Sequence, residues 1–440
     1  MKKINVGLLG CGTVGTGVAK ILIENKGLIR SKLGADLTLK YVADIDATTD
    51  RGIKFDKGVF INDPYKIVND PDIDIVLEMI GGEDIAKDLI LKAIDNGKQV
   101  VTANKALLAG GSGNDLVKAA TGKGVDLAFE ASVGGCIPII KSLRESLAGS
   151  SIKSMTGILN GTCNYILSKI TDDGSTFKDA LAKAQENGYA EADPGLDVDG
   201  LDTAHKLAIL SSLAYGMEIN LDDIYIEGIS KVTPADIRFA GEFGYRIKLL
   251  AISKNKGNMV EARVHPTMIP FDNLLSNVNG SLNAITINGD AVGKILLYGQ
   301  GAGMMPTANA VVSDAIDLAR NILSGAVGRV PLLSYQMDSI RKIDVLPVDE
   351  IYMHYYFRFS VLDRPKVLSK ISGILGDYGI SIKSVHQMEG EKGGTVPIVM
   401  LTHIAKEADV KKALSEITLL DVVSSNPVLI RIEDENGIYE

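Results

Sequence analysis

The chain has no tryptophan, five histidines and only three cysteines in 440 residues. Cys11, Cys136 and Cys163 are an odd number and form no C-x-x-C pair, which excludes a disulfide framework and a cysteine-built zinc site. Such usage fits a reducing compartment, so a cytoplasmic location is expected. Cys136 and Cys163 lie among small apolar residues without a histidine nearby in sequence, so buried structural thiols are expected rather than nucleophiles. No apolar run reaches the roughly 18 residues of a membrane-spanning helix, because charges interrupt every candidate. The apolar stretch between Lys3 and Cys11 is shorter than a secretory core of roughly 7–15 residues, and reads as a buried strand. A basic block is missing too. With 46 Lys and Arg against 55 Asp and Glu, net −9, the expected partner is a small molecule rather than nucleic acid or an anionic membrane. No internal repeat or low-complexity segment occurs, and the length corresponds to about three domains.

What is present falls into three textures. Short apolar runs at Ile4 to Leu9, Leu37 to Val42, Ile73 to Leu77 and Gln99 to Thr102 alternate with helical spacing such as Val14 to Ile23 and Asp84 to Asn96. That alternation predicts βαβ units, hence a Rossmann-type doubly wound parallel sheet over residues 1–138. From Ile139 a mixed pattern predicts a central α+β domain over 139–305, followed by a helical segment 306–333 returning to the first domain and a linker 334–350. Residues 351–440 start over. Strand-like runs at Tyr352 to Leu362, Ile380 to Met388, Val396 to Ile404 and Val428 to Ile432, with helices from Lys366 and Ala408, give a βαββαβ, ferredoxin-like unit.

Gly10-Cys11-Gly12-Thr13-Val14-Gly15 is a G-x-G-x-x-G directly after a buried strand and opening a helix. There Gly10 permits the tight turn, Gly12 admits a dinucleotide pyrophosphate, Gly15 permits close packing, and the helix N-terminus supplies the anion site. Asp44 ends the second strand, where a carboxylate accepts hydrogen bonds from the ribose of NAD and repels the extra phosphate of NADP. It lies 29 residues after Gly15 rather than about 20, and Arg51 and Lys54 are near enough in sequence to favour NADP instead. Lys105 follows the fourth strand, at the end where open α/β sheets bind ligands. Glu191, Asp193, Asp197, Asp199 and Asp202 crowd one loop, and Asp202 and Lys206 stand four apart at a helix start, so they share a face. Such a pair is either a solvated ion pair or the means for a lysine to take an alcohol proton while hydride leaves carbon. His205 is about 100° off that face and is expected to pack or to sit in solvent. Asp363-Arg364-Pro365, between a strand and a helix, suits either an amino-acid ligand or a plain dimerisation module.

Together with Thr102-Ala103-Asn104-Lys105, Phe129 to Gly135, Gly157 to Thr162, Glu191-Ala192-Asp193-Pro194, Asp199 to Lys206 and Gly299 to Gly303, these motifs resemble the homoserine dehydrogenase family over about residues 4 to 325. Residues 351–440 resemble an ACT domain, an amino-acid-sensing module. The resemblance implies NAD- or NADP-dependent interconversion of L-homoserine and L-aspartate 4-semialdehyde, in the pathway to threonine, methionine and isoleucine. It implies Lys206 as proton donor and acceptor, Asp202 as its orienting partner, and Lys105 between substrate and nicotinamide. Substrate would meet Glu191, Asp197, Asp202 and Gly161. The cofactor would meet Gly10, Gly12, Thr13, Val14, Gly15, Asp44, Thr102, Lys105 and Gly303. Backbone oxygens of Glu130, Val133, Gly135 and Ile137 would match a monovalent-cation site, sodium being the expected ion. A homodimer or homotetramer, and an amino-acid effector such as threonine at the ACT domain, are implied as well.

Two departures from the family pattern bear on this. Ala43 precedes Asp44 where many relatives carry an arginine for the phosphate of NADP, and Lys366 follows Pro365 where a glycine is usual. Two rivals remain at this stage: a cysteine-dependent semialdehyde dehydrogenase, and a non-catalytic sensor of nucleotide and amino acid.

Overall fold

The computed structural model describes residues 2–387 and 395–434, so Met388, the last residue of one expected strand, lies outside the described residues. It divides into two compact units. The first comprises Met1–Leu159, Asp202–Ile224 and Leu282–Ile343; the second comprises Asn160–Leu201, Tyr225–Ser281 and Asp344–Glu440.

The first unit is built on a six-stranded parallel sheet of β1 (Lys3–Leu9), β2 (Asp36–Ala43), β3 (Phe60–Ile61), β4 (Ile75–Glu78), β5 (Gln99–Thr102) and β6 (Leu127–Ala128), in the order β3-β2-β1-β4-β5-β6. Leu8 and Leu9 point to opposite faces and both are buried, which is why the strand reads as a continuous apolar run. Helix α1 (Thr13–Glu24) follows β1. Helix α2 (Leu201–Tyr215) buries every residue from Asp202 to Tyr215 except His205, so it has no polar face. Helix α3 (Met304–Ser324) shares a core with α1 and the sheet through Ala308, Val311, Ala315 and Leu318. Burying each such Leu or Val stabilises by roughly 1.5–3 kcal/mol. A Cβ at Gly17 of α1 would lie 2.9 Å from Ala308 Cβ and from the Met304 carbonyl oxygen, so glycine sets how closely the two helices approach. The unit also holds an antiparallel ladder of Ile152–Ile158, Leu282–Gly289 and Gly293–Gln300.

The second unit carries the C-terminal module. Strands Val428–Ile432, Tyr352–Leu362, Thr395–Thr402 and Ile382–Gln387 lie in that order, all antiparallel, with helices Val367–Asp377 and Glu407–Thr418 packed on them as a βαββαβ unit. Its sheet does not stop at the module boundary. Thr267–Met268 of strand Met259–Pro270 pair in parallel with Arg431–Ile432, and Met259–Pro270 in turn pairs with Tyr245–Asn255.

The segment expected as a linker is hydrogen-bonded within each unit. In the first, Tyr335 Oη donates to the Ala214 carbonyl at 3.2 Å and Arg341 N to the Gly216 carbonyl at 3.0 Å. In the second, Asp344–Val345 pairs with Met259–Val260.

Lys248 is buried in the second unit, where its ammonium donates to Asn164 Oδ1, the Val278 carbonyl and Asn279 Oδ1 at 3.0, 2.6 and 3.2 Å. Burial and the nearby Arg246 nevertheless push it down to about 7 from 10.5. Between those two values the unfolded chain binds the extra proton, so this residue makes stability rise with pH across that window. Lys248→Met is expected to flatten that rise in urea-unfolding midpoints measured along the pH axis. Lys366, the residue standing where glycine is usual, adopts φ 71°, a left-handed conformation that costs a side-chain residue roughly 1–2 kcal/mol. Lys366→Gly is therefore expected to raise the urea midpoint of the transition that unfolds the module.

Candidate active site

The carboxyl ends of β1, β4 and β5 lie side by side, and the loops that follow them carry most of the motif residues. Gly10 has φ +88°, and a Cβ there would lie 2.6 Å from the Met79 carbonyl oxygen; at Gly15 it would lie 2.1 Å from the Gly10 carbonyl oxygen. Gly15 thus lets α1 close on the turn itself. Gly12 is the opposite case: a Cβ meets nothing within 4 Å, so the space above it is open to a ligand. No side chain caps α1, which leaves the amides of its first turn, at exposed Thr13 and half-buried Val14, to an anion. These features fit a dinucleotide pyrophosphate. Gly303, with φ +129°, caps α3 and lies one residue before Met304, the neighbour of Gly17.

Asp44 sits at the β2 end as expected, but its carboxylate is engaged by its own loops. Oδ2 accepts from Cys11 N at 2.5 Å and Oδ1 from Asp46 N at 2.9 Å. Arg51, weighed as a ligand for the phosphate of NADP, donates instead to the carbonyls of Cys11, Asp46 and Thr49, and its side chain is only 9% exposed. Lys54 is exposed.

A residue not assigned from the sequence organises the next two loops. Glu78, fully buried at the end of β4, accepts from Ile80 N and Gly81 N at 2.8 and 3.2 Å and from Thr102 Oγ1 at 2.6 Å. The Thr102 hydroxyl is therefore turned inward, where it also accepts from Asn104 N. Asn104 Oδ1 accepts from Leu107 N, and so caps the helix that begins with Lys105. A charged strand end following Ile75-Val76-Leu77 was the available signal for Glu78.

Asp202 joins two lysines. Its Oδ2 accepts from Lys206 Nζ at 2.7 Å and its Oδ1 lies 3.1 Å from Lys105 Nζ. Lys206 Nζ also donates to the Leu159 carbonyl at 2.6 Å. Asp202 and Lys206 are 6% and 8% exposed, whereas the Lys105 side chain is 41% exposed. The buried, shared carboxylate is unlike a solvated surface pair. His205 is half-buried, and burial pushes its imidazole below the ordinary value.

The four residues of the expected cation site lie along one continuous stretch, the short helix Glu130–Ser132 and the turns that follow it. Gly134 and Gly135 both have positive φ, and a Cβ at Gly135 would lie 2.6 Å from the Gly301 carbonyl. The Ile137 carbonyl accepts from Ile139 N at 2.7 Å, and Val133 and Ile137 are buried. The Glu130 carboxylate points away to the helix start, accepting from Ile140 N and Lys141 N at 2.9 and 2.8 Å. Burial, and then Asp314, push its carboxyl up to about 7. Among the described residues no cluster of three or more His, Cys, Asp or Glu could hold a metal ion.

Glu191, Asp197 and Gly161 belong to the second unit. Asn160 Oδ1 caps the helix Gly161–Asp173, and its Nδ2 donates to Asp197 Oδ1 at 2.7 Å. Thr162 Oγ1 lies 3.0 Å from Asp197 Oδ2 and 2.6 Å from the Tyr189 carbonyl. Asp197 thus fixes the loop around Gly161. Glu191 is exposed. Cys163 is buried and its thiol donates to the Asp197 carbonyl, while Cys136 is only half-buried, with its thiol on the Gln300 carbonyl, short of the full burial expected for it.

Comparison with known proteins supplies the chemistry. A family model for homoserine dehydrogenase matches residues 138–316, one for the homoserine dehydrogenase NAD-binding domain matches 10–130, and one for the ACT domain matches 355–418. A homoserine dehydrogenase of Neisseria gonorrhoeae is 45% identical over 98% of this chain and 99% of its own. The crystal structure of a homoserine dehydrogenase from Thiobacillus denitrificans is 45% identical, covers 99% of each chain and superposes with a TM-score of 0.93. A hyperthermophilic archaeal homoserine dehydrogenase in complex with NADPH is 28% identical, with a TM-score of 0.61 over 72% of this chain and 97% of its own.

Gly12→Val tests the open cradle. The side chain has room, so the thermal unfolding midpoint is expected to hold, while fluorescence titration with NADH or NADPH is expected to lose binding.

Proposed function

The chain belongs to the homoserine dehydrogenase family, and we propose that its proton-transfer group is Lys206, held in place by Asp202. The activity is that of the family: an NAD(P)-dependent oxidoreductase interconverting L-homoserine and L-aspartate 4-semialdehyde in amino-acid biosynthesis. One observation carries the residue assignment: a buried Lys206 Nζ fixed by Asp202 Oδ2 and the Leu159 carbonyl. Two of the three free directions at Lys206 Nζ are taken, and the third remains for a substrate hydroxyl, as a lone pair that accepts its proton in the neutral amine and as the N–H that returns it in the ammonium. When bound, NAD(P) supplies the hydride acceptor or donor. Lys206 takes the hydroxyl proton in the oxidative direction and returns it to the carbonyl oxygen in the reductive one. Lys105, on the other oxygen of Asp202 and partly exposed, steers the substrate oxygen. Glu191, Asp197, Asp202 and Gly161 are the residues assigned to substrate binding.

The dinucleotide is held at Gly10, Gly12, Thr13, Val14, Gly15, Asp44, Lys105 and Gly303, and at Thr102 through its backbone. The carboxylate of Asp44 together with the commitment of Arg51 to three carbonyls supports NAD over NADP. Uncharged carbonyls at Glu130, Val133, Gly135 and Ile137 suit a monovalent cation such as sodium. Functional boundaries of 1–138 for cofactor, 139–305 for catalysis and 351–440 for regulation, with the 306–333 return helix and the 334–350 linker, complete the reading. Assembly as a homodimer or homotetramer draws support from the partly exposed strand Gly293–Gln300, which ends its ladder and carries Tyr298 at 57% exposure. Threonine is the first effector to test at the ACT module. No helix among the described residues is long and apolar enough to cross a membrane. The sensor reading is not favoured, since the relatives are enzymes over nearly the whole chain.

Initial rates at 340 nm with homoserine are expected to favour NAD over NADP. Lys206→Met should lower kcat by about a hundred- to ten-thousandfold with cofactor affinity unchanged. A variant that keeps its kcat would remove Lys206 from the proton transfer.

A further inference from the structure

Arg431 lies on the last strand of the ACT module and is 2% exposed, yet it reaches partners more than 200 residues away in sequence. Nε and Nη2 donate to the two carboxylate oxygens of Glu407 at 3.0 and 2.5 Å, a bidentate pair inside the module. Nη1 donates to Glu227 Oε2 at 2.7 Å and Nη2 to Tyr225 Oη at 3.0 Å. The strand pairing of Arg431 with Thr267 fixes its backbone as well.

The segment it grips is pressed against the acidic loop. Ile229 N donates to the Val198 carbonyl at 2.8 Å, and a Cβ at Gly228 would lie 2.2 Å from that same oxygen and 2.5 Å from Asp199 Cα. From the other side, a Cβ at Gly200 would lie 3.2 Å from an Ile226 methyl and 3.3 Å from a Val264 methyl. At Gly228 backbone therefore rests on backbone, and a shift of that segment has no side chain there to absorb it. Val198 ends the short helix Gly195–Val198 that carries Asp197, the residue gripping Asn160 and Thr162 beside Gly161.

We propose that Arg431 is a positioning residue for the amino-acid substrate, setting the place of Asp197 through Glu227 and the 225–229 segment. Burying an arginine with two carboxylates is a poor way to gain stability, since apolar residues of similar volume commonly do as well. What a planar guanidinium provides is a fixed geometry between the groups it bridges, and a charge that burial does not remove. The inference rests on the assignment of Asp197 and Gly161 to substrate binding.

The test is steady-state kinetics and thermal unfolding on the full chain for Arg431→Met, Arg431→Lys, Glu227→Gln and Asp197→Asn. Arg431→Met is expected to raise the KM for homoserine about three- to tenfold. It should leave kcat and the cofactor KM within about twofold. Arg431→Lys should recover part of the loss, and Glu227→Gln should move KM in the same direction. If Asp197→Asn raises the homoserine KM while Arg431→Met does not, the proposal falls and the site assignment stands. If Asp197→Asn leaves that KM unchanged, the site assignment falls first and this inference with it. Parallel losses in kcat and in both KM values would mark general destabilisation and overturn the proposal. Should Arg431→Met not fold, Glu227→Gln, which keeps the Arg431–Glu407 pair, decides by the same criterion.

Discussion

Asp202 is a buried carboxylate shared by two lysines that stand about a hundred residues apart in sequence. Taking one carboxylate and one ammonium out of water is costly, and the cost is met only while the partners stay in hydrogen-bonding geometry. That requirement reaches outward. Lys206 must project from the second turn of an almost wholly buried helix, Leu159 must follow its strand with a carbonyl turned toward it, and Lys105 must open a helix capped by Asn104. The Glu78–Thr102 hydrogen bond holds the β4 and β5 ends together, and with them the loop that delivers Lys105.

The nucleotide cradle follows a different logic, one of space rather than charge. Three glycines within six residues do three separate things: one adopts a left-handed turn, one leaves room, and one lets a helix sit on a carbonyl. Gly17 adds a fourth by admitting α3 against α1, which brings the distant Gly303 segment to the same side of the unit. Packing of small residues thus assembles a site from the two ends of a 300-residue stretch of sequence.

Much of this was legible in the sequence because the signals were local. The parallel sheet showed as short apolar runs, and strand ends at Thr102, Leu362 and Ile432 fell where the pattern stopped. The i, i+4 spacing put Asp202 and Lys206 on one face, as the structure has them. Spacing could not show that the pair is buried, nor that Lys105 shares it, because both depend on residues far apart in sequence, 47 between Leu159 and Lys206 and 97 between Lys105 and Asp202. The partners of Arg51 were hidden for the same reason: its proximity to a strand end is visible in sequence, its three carbonyl acceptors are not. The strand Gly293–Gln300 was missed because its apolar residues run consecutively rather than alternating, and Glu78 because a lone acid after an apolar run has many meanings.

The continuation of the sheet into the C-terminal module has an implication for how such chains are put together. Arg263 is 1% exposed and leans on Glu433, which lies just past the last strand of the module, as well as on Glu261. A chain cut before the module would leave Arg263 without its Glu433 partner and Thr267–Met268 without the strand they pair with, and a buried charge stripped of one partner costs about 3–5 kcal/mol. The module and strand Met259–Pro270 are thus fitted to one another, and a module grafted from a relative keeps the chain's stability only if its facing strand travels with it.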